Sequence, residues 1–175
     1  MNKRVIVFGN DHTNTVGVIQ SLAREGISVL PLLFGDKTGI VKASKYVDRI
    51  ESASDSDACV ELLLNLDWGV KIPIIACCDS AALSIDKAKD KLATHGYVFE
   101  YSTVSQSLSP YFEKDIQVEL AKNSGLNVPV SVKIDTIDDI PEKFVYPCLI
   151  KPLVSCHGGK GNIKICKDHD ELLNN

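Results

Sequence analysis

No apolar run in this sequence approaches the roughly 20 residues needed to cross a bilayer as a helix. Basic charge is not in excess: the formal net charge is −4 at pH 7, which gives no reason to expect nucleic acid or an anionic membrane surface as a partner. The opening Met-Asn-Lys-Arg leads directly into Val5-Ile6-Val7-Phe8 and stops at Gly9. That stretch is too short for a signal-peptide core, so a cytoplasmic protein is expected. None of the six cysteines (Cys59, Cys77, Cys78, Cys148, Cys156, Cys166) forms a C-x-x-C pair, which argues against a disulfide framework or a zinc site. Most lie in apolar runs, where a free thiol behaves as a small hydrophobe. Adjacent Cys77 and Cys78 should point to opposite faces of a strand. The G-x-G-x-x-G fingerprint is missing as well, because the glycine after Gly9 is Gly17. An NAD-dependent Rossmann enzyme then rests on strand–helix alternation alone.

What is present is ordinary globular composition, 45% hydrophobic and 24% charged over 175 residues, enough for one large domain or one domain with part of another. Residues 4–8 form a β-branched run ended by Gly9, as in a buried parallel strand. Val16, Ile19, Leu22 and Ala23 recur at helical spacing, and Gly26 supplies a stop. A second strand is expected over 27–34 and a short one over 47–50. Ser54-Asp55-Ser56-Asp57 offers N-caps for a helix carrying Cys59, Val60, Leu63 and Leu66. A third strand is expected over 72–78, then a helix capped by Asp79-Ser80 that runs to about Thr94, then a strand over 97–101. Helices of this length between strands imply right-handed crossovers and a parallel sheet covered on both faces. The reading is a doubly wound α/β domain.

A second unit begins near Pro110. A helix is expected over 113–124, ended by Gly125, then a strand over 128–134, a polar connector over 135–143 and a strand over 146–151. A glycine-rich loop follows over 155–161, and 162–166 alternates like a half-buried hairpin partner. Asp168 and Glu171 form a capping box for a helix that has run only about one turn by Asn175. A chain that stops there reads as truncated.

The most informative stretch is Tyr146-Pro147-Cys148-Leu149-Ile150-Lys151-Pro152, continuing to Ser155-Cys156-His157-Gly158-Gly159-Lys160-Gly161. An apolar strand ends in a lysine held extended by the following proline. Gly158, Gly159 and Gly161 then allow backbone N–H groups to converge on an anion, with Lys160 as an added charge. Taken alone, the loop fits phosphate binding and a plain hairpin turn equally. Cys156-His157 is not expected to be a working dyad, since neighbours in an extended loop point apart. Asn10, Asp11 and Asp79 end strands on the edge where doubly wound sheets bind ligands. They serve equally well as helix caps.

These residues resemble the ATP-grasp superfamily, in which an apolar-x-Lys-Pro strand precedes a glycine-rich loop over the nucleotide phosphates. Upstream, Phe112-Glu113-Lys114-Asp115 precedes a helix ending Gly125-Leu126-Asn127-Val128-Pro129, similar to the acidic-Lys pair, helix and Gly-apolar-x-apolar-Pro of that family. The resemblance is good over about 109–175 and looser before it. It implies a Rossmann-like pre-ATP-grasp domain over 1–108 and the truncated start of an ATP-grasp domain over 109–175. It further implies that Lys114 lies near the adenine, that Lys151 contacts the α- and β-phosphates, and that Ser155, Gly158, Gly159, Lys160 and Gly161 cover the β- and γ-phosphates. Asn10, Asp11 and Asp79 would help enclose the acceptor substrate.

ATP and magnesium are the implied cofactors, with the magnesium ligands expected beyond Asn175, so the chain alone is expected to be inactive. The implied parent is a ligase similar to the carbamoyl-phosphate-synthase-like and amino-acid-ligase branches. It would convert a small carboxylate to an acyl-phosphate and transfer it to an amine. The competing reading is a non-catalytic α/β module that binds a nucleotide or small ligand.

Overall fold

A computed structural model of the chain describes residues 4–35, 39–66, 68–99, 107–153 and 163–175. Two units divide at Ser107 and Leu108. The first is built on β1 (Arg4–Gly9), whose side chains from Val5 to Phe8 are all buried. β1 lies parallel to β2 (Ser28–Phe34) on one side and to β4 (Ile72–Ala76) on the other. β3 (Glu51–Ala53) and β5 (Tyr97–Val98) complete a parallel sheet ordered β3-β2-β1-β4-β5. This is an α/β fold, and its central strand must be apolar on both faces.

The strand pleat sorts the core into two layers. Ile6 and Phe8 pack with Leu30, Leu32 and Ile74 against α2 (Ser56–Leu64) and α3 (Asp79–Thr94). Val5 and Val7 pack with Ile19 and Leu22 of α1 (Thr13–Arg24) and with Leu33 and Val41. Cys77 joins the α1 layer and Cys78 the α2–α3 layer, the opposite placement that their adjacency implied. Helices thus lie on both faces, as the order reversal at β1 demands. Coverage is uneven, however. In β4 only Ile72 and Ile74 are buried, while Pro73 and Ile75 are exposed. The expectation of a sheet covered on both faces is corrected there, because α1 is the one helix of the first unit, among its described residues, that packs in that layer.

Local chemistry explains most boundaries. The Asp55 side chain caps α2 by accepting from the Ala58 N–H at 2.8 Å. That bond, with the Ser54 hydroxyl, holds its carboxyl below the usual aspartate range. Gly26 takes a φ of 72°, which lets Ile27 N donate to Leu22 O and close α1. Two expectations fail here. Residues 47–50 are not a strand; β3 starts at Glu51, and Val47 and Ile50 pack into the α1 layer instead. Strand pairing at 47–50 would lie beside Pro31 and its predecessors, and proline offers no ladder donor. Asp79 does not cap α3 either; it is the first helical residue, and the cap is Cys78 without a side-chain bond.

In the second unit α4 (Lys114–Asn123) ends at Gly125, φ 76°, with Leu126 N donating to Ala121 O. Residues 128–134, expected as a strand, form none and join no sheet among the described residues. Val130, Val132 and Ile134 stay exposed. β6 (Cys148–Ile150) pairs antiparallel with β7 (Lys164–Cys166), a shorter hairpin than expected. The α5 helix (His169–Leu173) is capped by Asp168, which accepts from Glu171 N. The Glu171 carboxylate reaches back to Lys167 N rather than to the cap itself. No helix among the described residues is long and apolar enough to cross a membrane.

The single tryptophan reports on this packing. Trp68 Nε1 donates to the Tyr97 hydroxyl at 2.8 Å, and that hydroxyl donates to Leu63 O at 2.6 Å. Replacing Tyr97 by Phe removes the acceptor for Trp68 and a donor to the end of α2. Urea unfolding followed by Trp68 emission should show a loss of about 1–2 kcal/mol together with a shifted emission maximum. An unchanged midpoint and spectrum would contradict this relay.

Candidate functional site

In the first unit the strand order reverses beside β1, so connections leave its carboxyl end and that of β4 in opposite directions. Ligands of doubly wound sheets bind at such a point. Cys77 N donates to Phe8 O at 2.8 Å, which keeps the two strand ends together one residue past β4. Gly9 makes this approach possible, since a Cβ there would stand 3.0 Å from both the Cys77 Cβ and the Thr15 Oγ1. Thr15, fully buried, donates its hydroxyl to Asn10 O at 2.8 Å and fixes the turn out of β1. Its spacing with Ile19 was a readable sign that it faces inward. His12 caps α1, its Nδ1 accepting from Asn14 N at 3.2 Å.

Asn10, Asp11 and Asp79 therefore share one edge of the sheet. Asn10 and Asp79 are exposed. Asp11 plays a structural part, since its Oδ1 accepts from Val41 N at 2.8 Å and ties the segment after β2 to the end of β1. Gly39 permits this, for a Cβ there would collide with the Asp11 carboxylate. Sequence reasoning missed that link, which joins residues 30 apart. Burial pushes the Cys77 thiol up to about 11, with Cys78 adding to the rise and the Thr15 hydroxyl opposing it. Burial also raises Cys78, opposed in part by the N–H groups of Ala81 and Asn10. Both are protonated near neutrality and are poor nucleophiles.

The second unit gathers a different set. Lys151 follows β6 directly and is exposed. The apolar strand that it ends is only partly buried, because one side of a two-stranded hairpin faces solvent and Leu149 and Ile165 pair there in the open. Lys114, the first residue of α4, places its Nζ 2.5 Å from Pro152 O and 3.3 Å from Leu153 O. The structure thus brings Lys114 against the backbone just beyond Lys151, a contact between residues 38 apart that no sequence spacing announces. At the other end of the hairpin the Tyr146 hydroxyl lies 3.0 Å from His169 Nδ1. Ser155, Gly158, Gly159, Lys160 and Gly161, like Cys156 and His157, lie outside the described residues. Among the described residues no three His, Cys, Asp or Glu side chains come together to hold a metal ion.

No family model matches the sequence, and no curated protein matches it. Among solved structures, the chain is similar to the L-amino acid ligase from Bacillus licheniformis, with a TM-score of 0.67 and 17% identity. The match covers 99% of this chain and 41% of the ligase chain. The likeness is one of fold, and this chain spans about two fifths of that protein.

Whether the Asp11 link holds as described is open to a double-variant test. Gly39→Ala should cost about 1 kcal/mol by displacing the carboxylate from Val41 N. In an Asp11→Ala background the same substitution should cost almost nothing, since the obstructing group is gone. Equal penalties in both backgrounds, read from urea midpoints, would refute the link.

Proposed function

We propose that this chain is the front part of an ATP-dependent ligase. In this reading the first unit, assigned to residues 1–108, is a Rossmann-like domain whose reversal edge, with Asn10, Asp11 and Asp79, faces the acceptor substrate. The second, 109–175, opens an ATP-grasp nucleotide-binding domain. The observation that carries the reading is the setting of Lys151, an exposed ammonium group immediately after β6, with Lys114 seated against the next two residues. An exposed ammonium group at a strand exit, leading into the Gly158 to Gly161 run, suits a polyphosphate: a point charge for its oxygens, and N–H groups wherever glycines let the chain approach. Similarity of fold to an L-amino acid ligase supports the same direction.

The activity assigned to the whole ligase is the formation of an acyl-phosphate from a small carboxylate and its transfer to an amine. In that activity ATP would be bound as its magnesium complex, the metal neutralising charge on the phosphates. Within this chain Lys151 would contact the phosphates, Ser155, Gly158, Gly159, Lys160 and Gly161 would cover them, and Lys114 would lie towards the adenine. Such a protein works in the cytoplasm, where ATP is abundant. The chain by itself binds the nucleotide weakly and does not turn it over.

Calorimetry with Mg-ATP tests this directly. The wild-type chain should bind with a dissociation constant in the high-micromolar to millimolar range. Lys151→Ala should weaken binding roughly ten-fold or more, the usual consequence of losing a charge-assisted contact. Identical titrations for the two proteins would remove Lys151 from the site.

A further inference from the structure

Lysine at the first position of α4 is locally unfavourable, because the amino end of a helix already carries partial positive charge. Three hydrogen bonds offset that cost. Lys114 Nζ donates to Pro152 O at 2.5 Å and to Leu153 O at 3.3 Å, and Lys114 N donates to the same Leu153 oxygen at 3.2 Å. An ammonium group has three donors and no acceptor, and two of them are engaged by these carbonyls. The carbonyls belong to the two residues after Lys151, where pairing with β7 has already stopped at Ile150. Pro152 has no N–H with which to extend the hairpin. The start of α4 therefore supplies the hold on this stretch that the β6–β7 ladder does not.

We propose that Lys114 is a positioning residue: it clamps the main chain leaving β6 and so sets the direction in which Lys151 presents its ammonium group. The clamp stands on the geometry alone, whereas its use in binding rests on the polyphosphate reading above. Lys114 then acts through Lys151, rather than as one more independent charge on the ligand.

The test uses the full chain, with wild type, Lys114→Met, Lys114→Gln, Lys114→Arg and the remote Lys133→Met compared by amide NMR and then by titration with inorganic triphosphate. Without ligand, Lys114→Met and Lys114→Gln should shift the Lys151 and Leu153 amide resonances well beyond the change seen for the remote variant, because the adjoining carbonyls lose their donors. Lys114→Arg should restore most of the wild-type pattern, and Lys133→Met should leave it unchanged. With triphosphate, Lys114→Met should weaken binding roughly ten-fold. Adding Lys151→Ala to that variant should weaken it little further, because the two side chains act in series.

Unaltered Lys151 and Leu153 amides in the Met and Gln variants would overturn the clamp. Fully additive losses in the double variant would overturn action through Lys151. Failure of the wild type to bind triphosphate would instead bring down the polyphosphate reading, and the ligand-free spectra would still decide the clamp. Should Lys114→Met not fold, the Gln and Arg variants carry both arms.

Discussion

Right-handed crossovers leave this chain one way to cover a sheet whose order reverses at its first strand. The path from β1 to β2 moves one way across the sheet and the path from β3 to β4 moves back, so α1 must lie on one face and α2 and α3 on the other. β1 is buried between them, and its Val-Ile-Val-Phe run is the sequence consequence. The same reversal parts the loops at the carboxyl ends of β1 and β4. Gly9, Thr15 and Cys77 close the floor of that opening, while Asn10 and Asp79 remain at its rim. Fold and candidate substrate edge in the first unit come from one constraint.

The second unit works with fewer apolar contacts. Only Cys166 and Leu172 among its described hydrophobic residues are buried, while Val130, Val145, Leu149 and Ile165 stand well exposed. A short hairpin with so little packed against it takes its direction from polar bonds at its ends. Tyr146 against His169 is one, and Lys114 against Pro152 and Leu153 is the other. Charge-assisted bonds to backbone carbonyls are strong enough to matter when packing is sparse. The proposed nucleotide-facing element is thereby coupled to the start of α4.

Legibility in the sequence followed the range of the interactions involved. Periodicity placed the α-helices and the central strands, and glycine marked the ends of α1 and α4, because those signals are local. The pairing of 164–166 with the strand before it was likewise visible in alternation. Residues 47–50 misled because Val47 and Ile50 are apolar for packing, not for pairing. Residues 128–134 misled because alternation reports a strand-like face but not whether a partner exists. The Asp11 link to Val41 and the Lys114 contacts were invisible, as each joins residues 30 or more apart through main-chain atoms that leave no trace in residue type. The residues proposed to bind phosphate were identified by residue type and family resemblance. The structure adds the setting of two of them, Lys114 and Lys151.

Competitive lysine acetylation read by mass spectrometry addresses the central claim most directly. In the chain without ligand, exposed Lys151 should be modified quickly and Lys114, held by two carbonyls, slowly. Inorganic triphosphate should slow Lys151 several-fold while leaving a surface lysine such as Lys122 unaffected. A Lys151 rate that ignores triphosphate, or that falls only in step with Lys122, would contradict the account.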